Sequence, residues 1–593
     1  MRELKYPFDP DFIIQKKKKI KRRLLESSCG FIEKKIAILG GSTTNDIKLV
    51  LELFLLDQGI KPEFYESEYN KFYEDAVFGN EELDAFAPDV IFIHTSFRNI
   101  INLPKITDTA EDVDAKLESE FARFNQVWTA LRNRYNCTII QNNFEYPHYR
   151  LLGNKDATDI HGKVNFVTRL NLLFAQYAQE NDNFYINDIN YQASQYGLEK
   201  WSDEFYWFMY KYALCLRAIP YLSFNVSNII KAIYGKNKKA LVLDLDNTLW
   251  GGIIGDDGVE NIAIGQETAQ SEAFTEFQEY IKEHKDLGIL LNVNSKNEME
   301  NALAGLAHPE SVLSKDDFIV IKANWEPKSK NLYEIANELN LGIDSLVFVD
   351  DNPAEREIVN QEFSSVSTPD IGNKPEYYLR AIDRSGYFEC VSISADDLKK
   401  VNMYKQNAQR KQMLATFENY GDYLLSLNMN ATIESFIPMY MQRIAQLTNK
   451  SNQFNLTTKR YSQADIEQVA NSDEYITLYG KLTDKFGDNG VVSVVIGHIE
   501  GDALDIELWI MSCRVLKRDM EFAMMDMLID KAKENNIRKV YGNYYPTSKN
   551  SMVKEFYSLH GFEKISEDEQ GNTRWELVVN DYENKNKYIN VEE

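Results

Sequence analysis

The feature that most constrains this chain is a run of four apolar residues, 240–243, that leads directly into two carboxylates. An apolar run without polar alternation is typical of a strand buried on both faces of a parallel sheet. Asp244 and Asp246 follow two residues apart, so an extended backbone points both side chains to one side, at the sheet edge where α/β proteins bind ligands. Two acids held this close repel each other, so the pattern predicts a divalent cation, a shared proton or a phosphoryl group between them.

Two later segments repeat the arrangement of an apolar strand followed by a polar group. Residues 289–294 predict a strand that ends at Ser295, and residues 345–349 predict one that ends at Asp350 and Asp351. Each segment alone also fits an ordinary role, because Ser is a common helix cap and acids are common in surface turns. Their order along the chain, with each polar group at a strand end, favours one shared site.

A candidate cation for this site lies in the stretch Asn-Trp-Glu-Pro-Lys-Ser-Lys at residues 324–330, which opens a helix. We assign the role of this positively charged site residue to Lys328, because it directly precedes the helix that returns to the sheet. Lys330 is the alternative candidate for this role. The ordinary interpretation of Lys330 is a solvated lysine at the start of a helix.

The pattern Asp-x-Asp-Asn-Thr-Leu at residues 244–249, with the three segments above, resembles the haloacid dehalogenase (HAD) superfamily of phosphohydrolases. This resemblance implies that Asp244 attacks phosphorus to form an aspartyl-phosphate, while Asp246 protonates the leaving oxygen and then activates water. It also implies that Ser295 hydrogen-bonds a phosphoryl oxygen and that Lys328 balances the charge of nucleophile and phosphate.

The same resemblance implies Mg²⁺ as the cofactor, held by Asp244, Asp350, Asp351 and the backbone carbonyl of Asp246. A glycine-rich flap at residues 251–258 leads into a helix by about residue 271, which leaves no room for a separate cap domain. We therefore expect an open site that accepts large substrates. The candidate substrate-binding residues are Asn247, Thr248, Trp250, Gly251, Gly252, Asn294 and Lys296.

Longer motifs narrow the family: Ser-Lys-Asn at residues 295–297, Asn-Trp-Glu-Pro-Lys at 324–328, Val-Asp-Asp-Asn-Pro at 349–353 and Gln-Leu-Thr-Asn-Lys-Ser-Asn-Gln-Phe-Asn-Leu-Thr at 446–457. Together they resemble FkbH-like proteins, the HAD subfamily IIIC, over most of the chain. The resemblance implies a phosphatase that acts on a small phosphorylated metabolite or a carrier-tethered acyl group. The alternative it implies is transfer of a glyceryl group from 1,3-bisphosphoglycerate to an acyl carrier protein, as in methoxymalonyl biosynthesis.

The sequence departs from the glyceryl-transferring members at one informative position. Those members carry Cys immediately before the Ser of the second motif, and a thioester intermediate needs such a thiolate. This chain has Asn294 there, which puts thioester transfer in doubt and leaves the phosphatase chemistry intact. A non-catalytic carrier-binding scaffold is a third alternative, and the intact acids and lysine weigh against it.

The amino-terminal third predicts a doubly wound, flavodoxin-like α/β domain. Its predicted strands, separated by helical segments, lie at residues 35–40, 88–94, 137–141 and 184–188. A helical connector at residues 220–239 follows and marks a boundary.

Ser42, which follows the first of these strands, and Asn142 and Asn143, which follow another, resemble the layout of SGNH esterases. A working esterase of that type needs a His paired to a carboxylate so that the serine can be deprotonated. Tyr206 stands where that His is expected, close to Asp203. We therefore predict a non-hydrolytic domain in which Ser42 is a helix N-cap.

The carboxyl-terminal region predicts helices, then strands at residues 475–482, 490–499 and 503–511, a helix at 521–534 and a strand at 539–544. This order resembles the GNAT acyltransferase fold.

A working GNAT enzyme cradles the pyrophosphate of coenzyme A with backbone amides of a glycine-rich loop. The corresponding residues 514–521 contain no glycine. Arg514, Lys517 and Arg518 are candidates for binding the phosphates of coenzyme A or pantetheine, with solvated loop charges as the alternative. The last dozen residues predict a mobile tail.

A length of 593 residues with 44% hydrophobic content predicts a globular protein of three or four domains, which we place at residues 1–225, 236–375 and 395–580. A net charge of −25 argues against nucleic-acid and anionic-membrane partners. The basic run at residues 16–23 predicts a solvated helix face, with docking of an acidic partner as the alternative.

The cysteines are odd in number and widely spaced, which favours reduced thiols in a cytoplasmic protein. They are Cys29, Cys137, Cys215, Cys390 and Cys513. We find no cleavable leader and no run of about 18 apolar residues, so we expect a soluble protein.

Overall fold

The computed structural model describes residues 1–27, 30–393, 395–450, 453–547 and 549–592. They fall into two compact units, Met1–Ile233 and Tyr234–Glu593. Cys29, and Ser451 and Asn452 of the motif at residues 446–457, lie outside the described residues. The division into three domains stays a prediction.

The first unit is a parallel sheet in the order β2-β1-β3-β4-β5 with helices around it, which confirms the predicted doubly wound α/β fold. The strands are β1 (Ile32–Gly40), β2 (Ile60–Glu66), β3 (Val90–His94), β4 (Thr138–Asn142) and β5 (Phe184–Asn187). The helices are α1 (Pro10–Ser27), α2 (Asn45–Asp57), α3 (Phe72–Val77), α4 (Glu81–Phe86), α5 (Ala110–Arg134), α6 (Lys163–Glu180), α7 (Ile189–Tyr196), α8 (Leu198–Trp201), α9 (Glu204–Tyr210) and α10 (Ile219–Ile233).

The basic run lies on α1 and is only partly solvated. Ile20 is buried, while Lys21 pairs with Glu52 of α2 at 2.7 Å. Part of the positive charge is therefore offset by acids of the same unit.

The second unit contains two sheets, of which the first is parallel in the order β8-β7-β6-β9. Its strands are β6 (Ala240–Leu243), β7 (Leu290–Ser295), β8 (Val320–Ala323) and β9 (Leu346–Val349). Its helices are α11 (Ile254–Asp257), α12 (Ala269–Asp286), α13 (Met299–Leu306), α14 (Lys328–Leu339), α15 (Pro353–Glu362) and α16 (Tyr378–Asp383).

Strand β6 is central and buried along its whole length, as its apolar run predicts. It pairs with β7 on one side and β9 on the other, so the carboxyl ends of all three strands meet at one edge. Between β6 and α12 the chain forms the short helix α11 and a single 3₁₀ turn, Val259–Asn261, rather than a cap domain. The predicted fold without a large cap is confirmed.

The second sheet is mixed, in the order β16-β17-β15-β14-β13-β12-β10-β18, with β11 beside β14. Its strands are β10 (Met429–Glu434), β11 (Phe454–Asn455), β12 (Tyr475–Asp484), β13 (Gly487–Glu500), β14 (Ala503–Met511), β15 (Lys539–Tyr544), β16 (Glu563–Glu567), β17 (Thr573–Val578) and β18 (Ile589–Glu592). The accompanying helices are α17 (Ala395–Leu414), α18 (Tyr420–Ser426), α19 (Met441–Lys450), α20 (Gln463–Ala470), α21 (Met520–Glu534) and α22 (Phe556–His560).

Antiparallel strands flank the parallel pair β14 and β15, which is the predicted GNAT-like α+β arrangement. The predicted mobile tail is wrong, because β18 pairs with β10 from Met429 to Thr432. The described cysteines are free thiols. No helix in the described ranges is both long and apolar enough to cross a membrane.

Candidate active site

Asp244 directly follows β6 and is held at the carboxyl edge of the sheet. Its backbone N–H donates to Val349 O of the neighbouring strand at 2.9 Å, which fixes the start of the loop. The residue is 7% exposed, and one carboxylate oxygen, Oδ2, lies 2.8 Å from Lys328 Nζ. The other oxygen, Oδ1, is buried without a hydrogen-bond partner among the described residues. Asp244 therefore keeps one oxygen uncommitted.

Lys328 is the first residue of α14 and lies between two acids. Its Nζ donates to Asp350 Oδ2 at 2.5 Å as well as binding Asp244, and the residue is 4% exposed. Burial works against the charged lysine, but Asp244 and Asp350 outweigh it and raise its pKa above the ordinary range. Lys330 is exposed and pairs with Glu326 at 3.1 Å. The structure thus brings Lys328, and not Lys330, to the acids.

Asp350 and Asp351 follow β9 and complete a group of three carboxylates with Asp244. One oxygen from each acid lies within 4.8 Å of the others. Burial, followed by the nearby Asp244 carboxylate, raises the pKa of Asp350 to about 6, and the same two causes raise the pKa of Asp351. Three acids this close repel one another, so the group favours a bound cation with a preference for oxygen ligands.

Asp246 is oriented by Trp250, by Ile254 of the flap and by Asn297 of the second motif. Its Oδ1 accepts hydrogen bonds from Trp250 Nε1 at 2.9 Å and Ile254 N at 3.2 Å, and its Oδ2 accepts from Asn297 Nδ2 at 2.9 Å. Burial, more than the repulsion from Asp244, raises the pKa of Asp246. The carboxyl group of Asp246 is not part of the three-acid group, and the contribution of its backbone carbonyl to a metal stays a prediction.

The structure places Ser295 and Lys296 of the second motif in different surroundings. Ser295 ends β7 and is buried, while the next helix begins only at Met299 with Glu298 as its N-cap residue, so the helix-cap alternative for Ser295 is wrong. Lys296 pairs with Glu355 in the first turn of α15 at 2.6 Å.

Asn294 is a structural residue rather than a substrate contact. Its amide donates to Lys328 O at 2.9 Å and accepts from Asn331 Nδ2 at 3.0 Å, and the residue is fully buried. It therefore fixes the first turn of α14 and, with it, the position of Lys328.

The predicted substrate contacts Trp250 and Gly251 are also corrected by the structure. Trp250 is 0% exposed, and its ring packs closely against Gly305 in α13, where a Cβ would lie 2.6 Å from the ring. A Cβ at Gly251 would lie 2.9 Å from the Phe274 ring. Both residues build the base of the flap, and Trp250 acts on the site only through Asp246.

The remaining loop residues hold the backbone close to the acids. Asn247 has a positive φ of 54° and accepts from Gly252 N at 3.0 Å, which closes the turn. Thr248 Oγ1 accepts from Asp351 N at 3.2 Å. Tyr378 OH donates to Asn247 O at 3.0 Å.

Sequence reasoning missed the residue that fixes the acid pair. Arg356 of α15 is buried and donates to the backbone oxygens of Asp350 at 2.6 Å and Asp351 at 2.9 Å. No motif marks Arg356, whereas Asn297 belongs to the Ser-Lys-Asn motif and could have been assigned from it.

Comparisons with known proteins agree with this geometry. The family model described as "FkbH, N-terminal domain" matches residues 35–231. Among solved structures, the chain is similar to the N-terminal part of the protein BF1531 from Bacteroides fragilis, which contains a phosphatase domain complexed with Mg. The identity is 30%, the match covers 63% of this chain and 99% of that chain, and the TM-score is 0.59. This chain belongs to the FkbH-like family of HAD proteins.

Two acetyltransferase structures match a shorter part of this FkbH-like protein. The ribosomal-protein-S18-alanine N-acetyltransferase from Escherichia coli has 13% identity and a TM-score of 0.20, and the match covers 25% of this chain and 94% of that chain. A GNAT-family acetyltransferase from Streptococcus pneumoniae has 15% identity and a TM-score of 0.22, with 25% and 99% covered. No curated protein gives a significant match.

Among the described residues of the first unit of the FkbH-like chain, no esterase triad is assembled at Ser42. Ser42 is not a helix N-cap either, because Thr44 occupies that position before α2. Its Oγ is buried without a partner in the described part of the chain, and Asp203 accepts from Tyr206 N as a cap of α9. His94 at this sheet edge is bonded to Asn142 at 2.8 Å, and burial lowers its pKa to about 4. His148, in the loop after β4, pairs with Glu204 at 3.8 Å and not with Ser42.

A buried acid near this edge predicts a pH-dependent local stability. Burial raises the pKa of Glu145 to about 7, and its Oε2 accepts from Phe97 N at 3.2 Å. The folded state therefore holds a proton that the unfolded state releases, and stability falls as pH rises from about 4.5 through 7, by at most about 3 kcal/mol. Hydrogen exchange at Phe97, corrected for its intrinsic rate, should be less protected at pH 8 than at pH 5. Glu145→Gln should remove this difference, and equal protection in wild type would contradict the assignment.

One of the three predicted coenzyme A contacts, Arg518, is corrected as well, while Arg514 and Lys517 stay predictions. Arg518 is buried and bound to Asp484 at 2.9 Å, so it is neither a solvated charge nor free to bind a phosphate. Lys517 is exposed with a positive φ of 64°. Strands β14 and β15 pair only from Ala503 to Ile506, and β11 pairs with β14 beyond that point. The chain itself fills the space between the two strands.

Proposed function

We propose that this protein is a Mg²⁺-dependent phosphomonoesterase that acts through an aspartyl-phosphate on Asp244. The observation that carries the proposal is the arrangement of Lys328 between Asp244 and Asp350 at the carboxyl end of a buried strand. A carboxylate with one oxygen held by a lysine and the other uncommitted is oriented for attack on an electrophile.

The acids at this edge fit a magnesium ion. Asp244, Asp350 and Asp351 offer oxygen ligands within 4.8 Å of one another, and Mg²⁺ prefers oxygen ligands. When bound, the ion would offset negative charge between the nucleophile and the phosphoryl group. Asp246 would add its backbone carbonyl, because its carboxylate lies outside the three-acid group and accepts hydrogen bonds from Trp250 and Asn297.

The proton chemistry falls to Asp246. Its raised pKa favours the protonated form, which can donate to the leaving oxygen while Asp244 bonds to phosphorus. The resulting carboxylate then accepts a proton from the water that hydrolyses the aspartyl-phosphate. Lys328 and Ser295 would hold the phosphoryl oxygens during both steps.

The substrate that fits this site best is a phosphorylated small molecule or a phosphorylated group tethered to a carrier protein. The short flap between β6 and α12 leaves space for a large leaving group. Thioester transfer at the second motif finds no support, because Asn294 is a buried amide bonded to Lys328 and Asn331. The complete set of acids and the lysine disfavours a purely scaffolding role.

The test is phosphate release from p-nitrophenyl phosphate with and without magnesium. Treatment with EDTA should lower the rate by at least about 100-fold and added Mg²⁺ should restore it, because the three acids otherwise repel the phosphate. Magnesium should also raise the melting temperature, because it binds the acid cluster of the folded protein and does not bind the unfolded chain.

Other outcomes separate the alternatives. No turnover across a panel of phosphorylated metabolites would favour a carrier-binding scaffold. A mass increase on an acyl carrier protein incubated with 1,3-bisphosphoglycerate and this protein would favour glyceryl transfer.

A further inference from the structure

The second unit contains a cavity of about 620 Å³ away from the acid cluster. It is lined by the residues around Asn340–Ser345, by α17, and by residues 511–514 at the end of β14 and just after it. A volume between about 300 and 1,000 Å³ is the usual size of a small-molecule site. The cavity is therefore large enough for a metabolite.

The cavity lies at the opposite edge of the sheet from the candidate active site. Lys239 lines it and directly precedes β6, whereas Asp244 follows β6. Five residues of extended chain span about 16 Å. Ser345 and Asp350 are related in the same way across β9. A ligand in this cavity cannot reach Asp244.

The lining is cationic, although the chain as a whole carries a net charge of −25. Positive side chains outnumber negative ones among the described lining residues. The cations are Lys239, Lys400, Arg443, Arg514 and Lys549, and the acids are Asp344 and Asp397. A concentration of positive charge in a concave site attracts anions.

Arg514 is the residue that points most directly to a ligand. It is 8% exposed, and in the described ranges its guanidinium donates to Ser512 Oγ at 3.2 Å and contacts the sulfur of Met403, with no carboxylate paired to it. A buried guanidinium normally pairs with a carboxylate or a phosphate, because isolated burial of charge is costly. An anion in the cavity would supply the missing partner.

The rest of the lining supports an organic rather than an inorganic anion. Leu341, Ile343, Leu447 and Met511 provide apolar surface. Gln453 Oε1 is buried without a partner among the described residues, so it can accept a hydrogen bond from a ligand. The lining thus combines cationic side chains, apolar surface and, at Gln453, a buried acceptor without a partner among the described residues.

We propose that this cavity binds an organic phosphate, with Arg514 holding the phosphate and the apolar residues holding its carbon skeleton. The site is independent of the phosphatase site, because the two lie at opposite edges of one sheet. Its ligand is bound intact.

The experiment is isothermal titration of the full chain with phenyl phosphate in EDTA, where the unneutralised acid cluster repels the dianion. We expect one binding site in wild type, with affinity that falls as salt concentration rises. Arg514→Met should weaken binding at least tenfold. Lys517→Met, which removes a neighbouring exposed cation outside the cavity, should leave the affinity unchanged.

A second variant protects the test from misfolding. Lys400→Gln, at the cavity wall, should weaken binding about threefold or more even if Arg514→Met does not fold. Inorganic phosphate should bind at least tenfold more weakly than phenyl phosphate, because it cannot use the apolar lining. No binding at millimolar phenyl phosphate, or equal affinity in wild type, Arg514→Met and Lys400→Gln, would overturn the proposal.

Discussion

Asp244→Asn should lower the rate of p-nitrophenyl phosphate hydrolysis by at least about 10⁴-fold, because an amide cannot attack phosphorus. The fold should survive, since the backbone N–H of Asp244 still donates to Val349 O and the amide is the same size as the carboxyl group. The measurement is kcat under saturating magnesium. A brief reaction with ³²P-labelled substrate should also label wild type and leave the variant unlabelled.

The matched control is Asp256→Asn in the flap that follows the Asp244 loop. Asp256 is exposed in α11 and does not line the acid cluster, so its loss of one negative charge should leave kcat within about twofold of wild type. Comparable losses in both variants would point to a general effect of charge near the flap. Labelling of Asp244→Asn at the wild-type level would place the nucleophile elsewhere.

The site could be predicted from sequence where a functional group follows a buried strand. Asp244, Ser295 and Asp350 each directly follow or end an apolar run, and parallel pairing of β6 with β7 and β9 places those ends side by side. The bounds of β14 and β15 also agree with the prediction, because buried and partly exposed residues alternate along β15 and along the first part of β14, as expected of a strand. Short-range patterns carry this information.

The parts that sequence could not predict depend on contacts between distant segments. Strand β2 lies at a sheet edge and alternates Lys61 and Glu63 with apolar residues, so it lacks the continuous apolar run of its neighbours. Strand β11 is two residues long and exists only because β14 leaves an unpaired edge. The local sequence of β18 is typical of a polar tail, and the segment is a strand because it pairs with β10. In each case the partner strand, and not the local sequence, decides the structure.

The same limit applies to Asn294. The sequence shows only that this position lacks the cysteine nucleophile of the glyceryl-transferring members. The structure gives it a different task, since its amide bonds to Lys328 O and Asn331 and so fixes the start of α14. The residue that replaces the cysteine of the glyceryl-transferring members therefore helps to position Lys328, the lysine that the phosphatase chemistry needs.

Lys328→Met should lower kcat by about 10²–10³-fold, the loss expected when one charged donor is removed from a preorganised site. Methionine keeps the unbranched apolar stem but lacks the terminal ammonium, so Asp244 and Asp350 lose the cation that lies 2.8 Å and 2.5 Å from them. Because Lys328 lowers the pKa of Asp350, the variant should bind magnesium less tightly at pH 6 than at pH 8. The measurements are kcat and the magnesium dependence of the rate at both pH values. Lys330→Met removes an exposed lysine from the same helix and should behave as wild type, whereas equal losses in the two variants would show that α14 needs positive charge without placing it at the acids.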